Sequence, residues 1–136
     1  MRRSKEELIR FAHDEILAKG NLNAVEEVFA DDYVLHAGGK EHRGAAFVRK
    51  FIGQLRSAIP DIRLAKLEFL MRSADRVAWQ RTFRGTNRAG LKGIPPTGKK
   101  VEWTDILVSR FEGGKIAEEW AVSQLAERLL LGQPRP

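Results

Sequence analysis

The spacing of apolar residues changes once along this chain, at Pro60, and that change limits the fold more than any single motif does. Before it, Leu8, Ile9, Ala12, Ile16 and Leu17 form a helical stripe behind a Ser4–Glu7 capping box, and Gly20 ends it. Asn23 with Glu26 repeats the start signal for a short helix bearing Val25, Val28 and Phe29. YVLHA, 33 to 37, reads as a brief strand broken by Gly38 and Gly39. Phe47, Val48, Phe51, Ile52, Leu55 and Ile59 predict a third amphipathic helix that Pro60 stops. From Asp61 the period falls to two, with turn signals at 73–75 and at Gly113-Gly114. In the first of three long strands Ile62 and Leu64 share one parity and Leu67, Phe69 and Met71 the other, which predicts a bulge near Ala65. In KIAEEWAVSQLAERLL, residues 115–130, Ile116, Trp120 and Val122 alternate, whereas Leu125, Leu129 and Leu130 follow a helical period, so a strand runs into a helix.

Helices followed by a meander predict an α+β domain: a cone-shaped, curved mixed or antiparallel sheet, three N-terminal helices packed on its concave face, and a pocket between them. A chain of 136 residues is read as one domain over 1–136, able to bury roughly two thirds of its unfolded surface. Its 43% hydrophobic and 31% charged residues are a globular balance. No run of about 18 apolar residues occurs, and MRRSKEELIRFAHDE lacks the apolar centre of a signal peptide, so a cytoplasmic protein with no membrane partner is expected. The net charge of +6 is scattered among acids and forms no stripe, which argues against nucleic acid. Without cysteine there is no disulfide or thiolate chemistry, and His13, His36 and His42 lack metal-ligand spacing, so no metal is expected. The loop TNRAGLKGIPPTGKK, 86–100, carries four basic residues and is read as a polar rim or lid; it has neither the spacing of a phosphate loop nor a helix after it.

The candidate site comes from polar residues that share parity with apolar strand neighbours. Arg81 is in step with Val77, Trp79 and Phe83; Asp105 with Val101, Trp103, Leu107 and Phe111; Glu118 with Ile116, Trp120 and Val122; His36 with Val34. Ionisable groups on a buried face are costly unless paired, so four of them predict a pocket with a polar floor. Plainer readings stand beside this one. Arg81 and Asp105 would also make a structural ion pair across neighbouring strands, Glu118 would pair with Arg81, and His36 would be a satisfied interior histidine, since Tyr33 and Leu35 on the other parity are equally apolar. Trp79, Trp103 and Trp120 are either core or pocket wall.

FADDYVLHAGG, a helix closing on AIPDI, RVAWQRTFRGTNRAGLKGIPPTGKKV and ILVSRFEGGKIAEEW together resemble the SnoaL-like polyketide cyclases, also called ester cyclases, of the nuclear-transport-factor-2-like superfamily. The resemblance runs from about Lys5 to Leu131, and GIPPTGK and RFEGGKIAEEW are its most specific parts. It implies a dimeric cone that binds apolar carbonyl compounds without a cofactor and closes rings by an intramolecular aldol reaction. It also implies a catalytic aspartate four residues beyond the tryptophan of the E-x-W motif, where this chain has Gln124, and a histidine after G-T, where it has Asn87. An amide accepts no proton at neutral pH.

The expectation is therefore a cofactor-independent cyclase or isomerase acting by proton transfer on a small apolar carbonyl compound. Glu118 is the expected base, its pKa raised by an apolar surround, with Asp105 or His36 as relay. Arg81 and Gln124 are expected as hydrogen-bond donors to the enolate, and Tyr33, Phe51, Trp79, Trp103 and Trp120 as pocket walls. A binding protein for an apolar ligand, and an epoxide-hydrolase-like or ketosteroid-isomerase-like enzyme, stay open as alternatives. A homodimer is expected through the outer sheet face, where Ala78, Gln80, Thr82, Thr104, Ile106 and Val108 fall.

Overall fold

Ser4 opens the first helix as the spacing requires. In the computed structural model, which describes residues 2–133, its hydroxyl accepts from Glu7 N–H at 3.1 Å while the Glu7 carboxylate accepts from Ser4 N–H at 2.9 Å. Helix α1 (Lys5–Phe11) continues as a wider π-helical segment, Ala12–Ala18, with Leu8, Ile9, Ile16 and Leu17 buried. Helix α2 (Val25–Val28) follows a 3-10 turn at Leu22–Ala24. Asn23 lies inside that turn and does not cap the helix, whose own first residue has no side-chain cap. Phe29 begins a strand, and does not end the helix.

Strand β1 (Phe29–Ala37) is longer than the YVLHA segment and turns back through Gly38-Gly39, both at positive φ (60° and 74°), into β2 (Lys40–Arg43). Positive φ at both central residues is what a tight hairpin turn demands and what glycine supplies without strain. Strand β2 leaves no mark in the sequence, because KEHR has no apolar alternation. Helix α3 (Ala45–Ala58) follows, then β3 (Arg63–Arg72), β4 (Arg76–Thr86), β5 (Lys100–Glu112), β6 (Lys115–Ser123) and α4 (Leu125–Leu131).

The strands form one six-stranded mixed sheet in the order β2-β1-β6-β5-β4-β3, antiparallel except for the parallel β1–β6 pair. Its α+β architecture has the helices packed against one face. Two register shifts matter. One falls between Leu64 and Lys66, where Ala65 is the extra residue that the parity change predicted. The other falls in β6, where Phe111 pairs with Ile116 but Arg110 pairs with Glu118, leaving Ala117 as an extra residue. Beyond Ala117 every side chain of β6 changes face. Among the described residues no helix is long and apolar enough to cross a membrane.

The covered face holds two apolar clusters. Ile9, Ile16, Val25, Val28, Tyr33, Val77, Trp79, Leu107 and Ile116 make the first; Leu17, Leu55, Ile59, Phe83, Leu91, Trp103, Leu125 and Leu129 make the second. Leu130, expected on the helical stripe, is exposed. Gly85 of β4 passes against α3 so closely that a Cβ there would collide with the Ile59 side chain, whereas Gly53 in α3 has open space around it. Gly85→Ala is accordingly expected to lower stability in urea by about 1–3 kcal/mol, the range for overpacking, and Gly53→Ala to raise it by about 0.5–1 kcal/mol.

Candidate functional site

The β4–β5 register sets Arg81 directly opposite Asp105, flanked by the pairs Trp79–Leu107 and Phe83–Trp103 on the same face. Arg81 Nε donates to Asp105 Oδ2 at 2.9 Å, and its guanidinium lies 5.3 Å from the Trp79 ring and 4.8 Å from the Phe83 ring. Its Nη1 donates to His13 Nε2 at 3.0 Å. On the other side of the imidazole, Nδ1 donates to the Ile9 carbonyl at 2.7 Å. A carbonyl only accepts, so the proton sits on Nδ1 and Nε2 offers Arg81 a lone pair. Burial, and then the Arg81 charge, push the His13 pKa down to about 3, so the ring is neutral.

His13 was passed over in the sequence because it has no metal-ligand partner. The available signal was its spacing: four residues after Ile9 and three before Ile16, it shares the buried stripe of α1. The π-helical segment that begins at Ala12 carries it, and such wide turns, rare in general, are frequent at functional sites. Asp105 Oδ1 is buried and has no hydrogen-bond partner among the described residues. Arg81 retains 22% of its side-chain exposure, so the cluster is not sealed.

A second polar group occupies the same face. Glu119, buried, accepts from the Tyr33 hydroxyl at 2.7 Å and from Ser109 Oγ at 2.5 Å, while Ser109 accepts from Trp79 Nε1 at 2.9 Å. Burial raises the Glu119 pKa against the pull of Ser109 and Tyr33. It also raises that of Tyr33 well above its ordinary value.

Glu118 is not in this interior. The bulge at Ala117 turns it, with Trp120 and Val122, to the outer face, so the shared parity with Ile116 ends there. His36 lies on that outer face too. Its Nε2 donates to Glu118 Oε2 at 2.7 Å and its ring stacks on Trp120 at 5.3 Å, while Arg110 Nε donates to Glu118 Oε1 at 3.0 Å. His36 and then Arg110 hold the Glu118 carboxyl below its usual pKa, opposite to the rise expected from an apolar surround. Gln124 is exposed at the β6–α4 junction, where its Oε1 accepts from Thr104 N–H at 3.2 Å and extends the ladder past the last strand residue. Of the wall residues, Tyr33, Trp79 and Trp103 are buried on the covered face, Phe51 is half-buried against the second cluster, and Trp120 is outside.

Asn87 has a structural use: its Oδ1 accepts from Thr97 N–H at 2.8 Å and its Nδ2 donates to the Ala89 carbonyl at 3.0 Å, which closes the 86–100 loop. The loop is not wholly polar rim, since Leu91 is buried in the second cluster. Among the described residues no three His, Asp or Glu side chains gather to hold a metal.

The profile of the SnoaL-like polyketide cyclases matches residues 7–130. The chain belongs to that family. No curated protein matches it in sequence. Among solved structures it is similar to a proposed SnoaL-like polyketide cyclase from Jannaschia sp. CCS1 (TM-score 0.84, 18% identity, 100% of this chain and 99% of that one). It is similar also to IdmH, a proposed polyketide cyclase from Streptomyces antibioticus (0.79, 24%, 96% and 98%). A third is AclR, a proposed hydroxylase from Streptomyces galilaeus (0.73, 28%, 96% and 100%). The likeness to the first two is a likeness of fold, the nuclear-transport-factor-2-like cone. Proposed cyclases and a proposed hydroxylase share this SnoaL-like scaffold, so the reaction has to be argued from side chains.

Two opposite pH dependences follow. His13 has a depressed folded pKa, so its contribution is complete above pH 6.5 and is lost as pH falls toward about 3, at up to about 1.4 kcal/mol per unit. His13→Gln is expected to flatten that part of a stability–pH curve measured by urea unfolding. Glu119 has a raised folded pKa, so stability falls as pH rises above 4.5 toward the folded value, and Glu119→Gln is expected to remove that fall.

Proposed function

We propose that this SnoaL-like chain is a cyclase or related enzyme that moves a proton at the carbon beside a carbonyl, with Asp105 as base and Arg81 as oxyanion donor. The carrying observation is Asp105 Oδ1, a buried acceptor with no partner among the described residues, beside a guanidinium that fixes the other carboxylate oxygen. An unsatisfied buried acceptor costs about 1–3 kcal/mol, and a bound carbon acid presenting its proton there offsets that cost. Oδ1 takes the α-proton, the electron pair moves onto the carbonyl oxygen, and Arg81 N–H groups stabilise the resulting enolate. The enolate carbon then bonds to a second carbonyl carbon of the same molecule, and the new alkoxide recovers the proton from Asp105. No cofactor enters this sequence. His13, neutral and hydrogen-bonded to Arg81, positions the guanidinium. A second reading uses the same pair: Asp105 Oδ1 holding a water for epoxide opening, recognised by heavy oxygen from solvent in the product.

Deuterium uptake from heavy water at the α-carbon of acetonaphthone is the measurement. Asp105→Asn is expected to slow it about 100- to 10,000-fold, the value of a placed general base, while Glu118→Gln and His36→Ala leave it within about twofold. Uptake that persists in Asp105→Asn sinks the assignment. A ketone that binds without exchange in any variant favours a binding protein.

A homodimer through the outer face belongs to the same proposal. Ala78, Gln80, Thr82, Thr104, Ile106, Val108, Trp120 and Val122 bring no charge of their own to that face; Arg76 lies over the Trp120 ring at 5.0 Å, Gln80 donates to Glu68, and the ion pairs Arg84–Glu102 and Arg110–Glu118 stand at its two ends. Ile106 and Val122 are 49% and 73% exposed, which a partner would cover. Light scattering is expected to give twice 15.4 kDa for the native chain and a monomer for Val122→Glu; a native monomer at micromolar concentration rules the dimer out.

A further inference from the structure

Leu91 has two neighbourhoods. It is buried in the cluster that holds Phe83 and Trp103, and it also lines a groove of about 510 Å³ between Gln54 of α3 and the turn Gly90–Pro95. Phe83 is one of the rings beside the Arg81 guanidinium, so the cluster that holds Leu91 extends to the Arg81–Asp105 pair. The turn is closed by Leu91 N–H to Ile94 O at 3.0 Å and Ile94 N–H to Leu91 O at 2.9 Å. Its central residues are Lys92 and Gly93, at φ 53° and 74°.

Among the described residues Lys92 is the only non-glycine with positive φ. Asparagine or glycine suits that place in a tight turn, and a lysine there is strained. Strained residues concentrate where a ligand is gripped. The Lys92 ammonium lies 5.6 Å from the centroid of the Phe51 ring, and Lys92 takes part in none of the ion pairs among the described residues. The loop around it carries Arg88, Lys99 and Lys100 and no acid. A cation held in a disfavoured backbone conformation, over an aromatic face and at the lip of a groove, has no counter-charge within its own loop.

We propose that this groove is the subsite for the acidic end of the ligand: the carboxylate of an elongated keto acid, held by Lys92 Nζ and the Gln54 amide, with the apolar body against Leu91 and Ile94. Two donors match the two oxygens of a carboxylate. The proposal sharpens the substrate class from an apolar carbonyl compound to a keto acid, and it rests on the proton-transfer reading for the chemistry though not for the binding.

The test compares naphthoylpropionate, a stable aryl keto acid, with its methyl ester, by calorimetric titration of the native chain, Lys92→Gln, Lys92→Gly and, as a remote control on β2, Lys40→Gln. The acid is expected to bind about tenfold tighter than the ester, as hydrogen bonds to a charged group allow, with the preference kept in Lys40→Gln and reduced to about twofold or less in both Lys92 variants. Lys92→Gly is also expected to melt at a higher temperature, because glycine relieves the turn, so loss of the preference there is not loss of the fold. Equal binding of acid and ester by the native chain, a preference that survives in Lys92→Gly, or no binding of either probe overturns the proposal. Deuterium exchange on the same probes separates the two ideas. An ester that exchanges without any acid preference removes the subsite and leaves Asp105 as base; an acid that binds through Lys92 without exchange does the reverse.

Discussion

A guanidinium beneath a layer of helices needs a counter-charge and an acceptor for each N–H it buries, and Arg81 is the residue on which the covered face depends. The register of β4 and β5 sets Asp105 opposite it, so the ion pair forms without bending either strand. Two aromatic faces, Trp79 and Phe83, take up the apolar edges of the guanidinium. The remaining acceptor comes from outside the sheet. His13 provides it only because α1 widens into a π-helical segment and because the Ile9 carbonyl fixes the imidazole tautomer. Helix, sheet and protonation state are thus tied to one side chain. Among the described residues Asp105 Oδ1 is left without a partner at the end of that chain of requirements, and it is the atom to which we assign the proton transfer.

The two adjacent carboxylates of β6 show how one extra residue assigns roles. Ala117 has no partner across the ladder, and its insertion sends Glu118 to the outer face and Glu119 to the inner one. On the outside, His36 and Arg110 stabilise the ionised form and lower the Glu118 pKa; on the inside, burial disfavours ionisation and raises that of Glu119. The same functional group therefore shifts in opposite directions at neighbouring positions. Glu119 with Tyr33, Ser109 and Trp79 fixes the inner face, and Glu118 with His36 and Trp120 shapes the outer one.

The loop between β4 and β5 divides its labour similarly. Asn87 replaces a histidine that the family resemblance implied, and its amide closes the loop from within, a task that needs a donor and an acceptor on one short side chain. The backbone of Arg88 and Ala89 is anchored to the Ala58 carbonyl, and Gln133 Nε2 donates to the Pro95 carbonyl at 2.7 Å. Between these anchors only the Leu91–Ile94 turn is left to face both groove and core.

Much of this was legible in the sequence. The period change at Pro60, the Ser4–Glu7 box, the bulge at Ala65, the turn glycines and the strand-to-helix switch at Ser123 all follow from local sterics and hydrogen bonding, which act over a few residues and leave a pattern there. Arg81 and Asp105 were found because β4 and β5 alternate without interruption through them. Glu118, Trp120 and His36 were misplaced for one reason: parity carries across a strand only while its ladder is regular, and nothing in KIAEEW marks Ala117 as the extra residue. That bulge exists because Phe111 and Ile116 must both enter the core while Arg110 meets Glu118 outside, a condition set by the partner strand. His13 joined the site for a similar reason, since its acceptor role is defined by Arg81, 68 positions away in sequence. The sequence by itself determined most of the elements, and the buried face wherever a strand or helix runs without interruption. Which carboxylate lies inside, and which histidine meets the arginine, was decided by tertiary pairing, because register and burial are properties of two strands together.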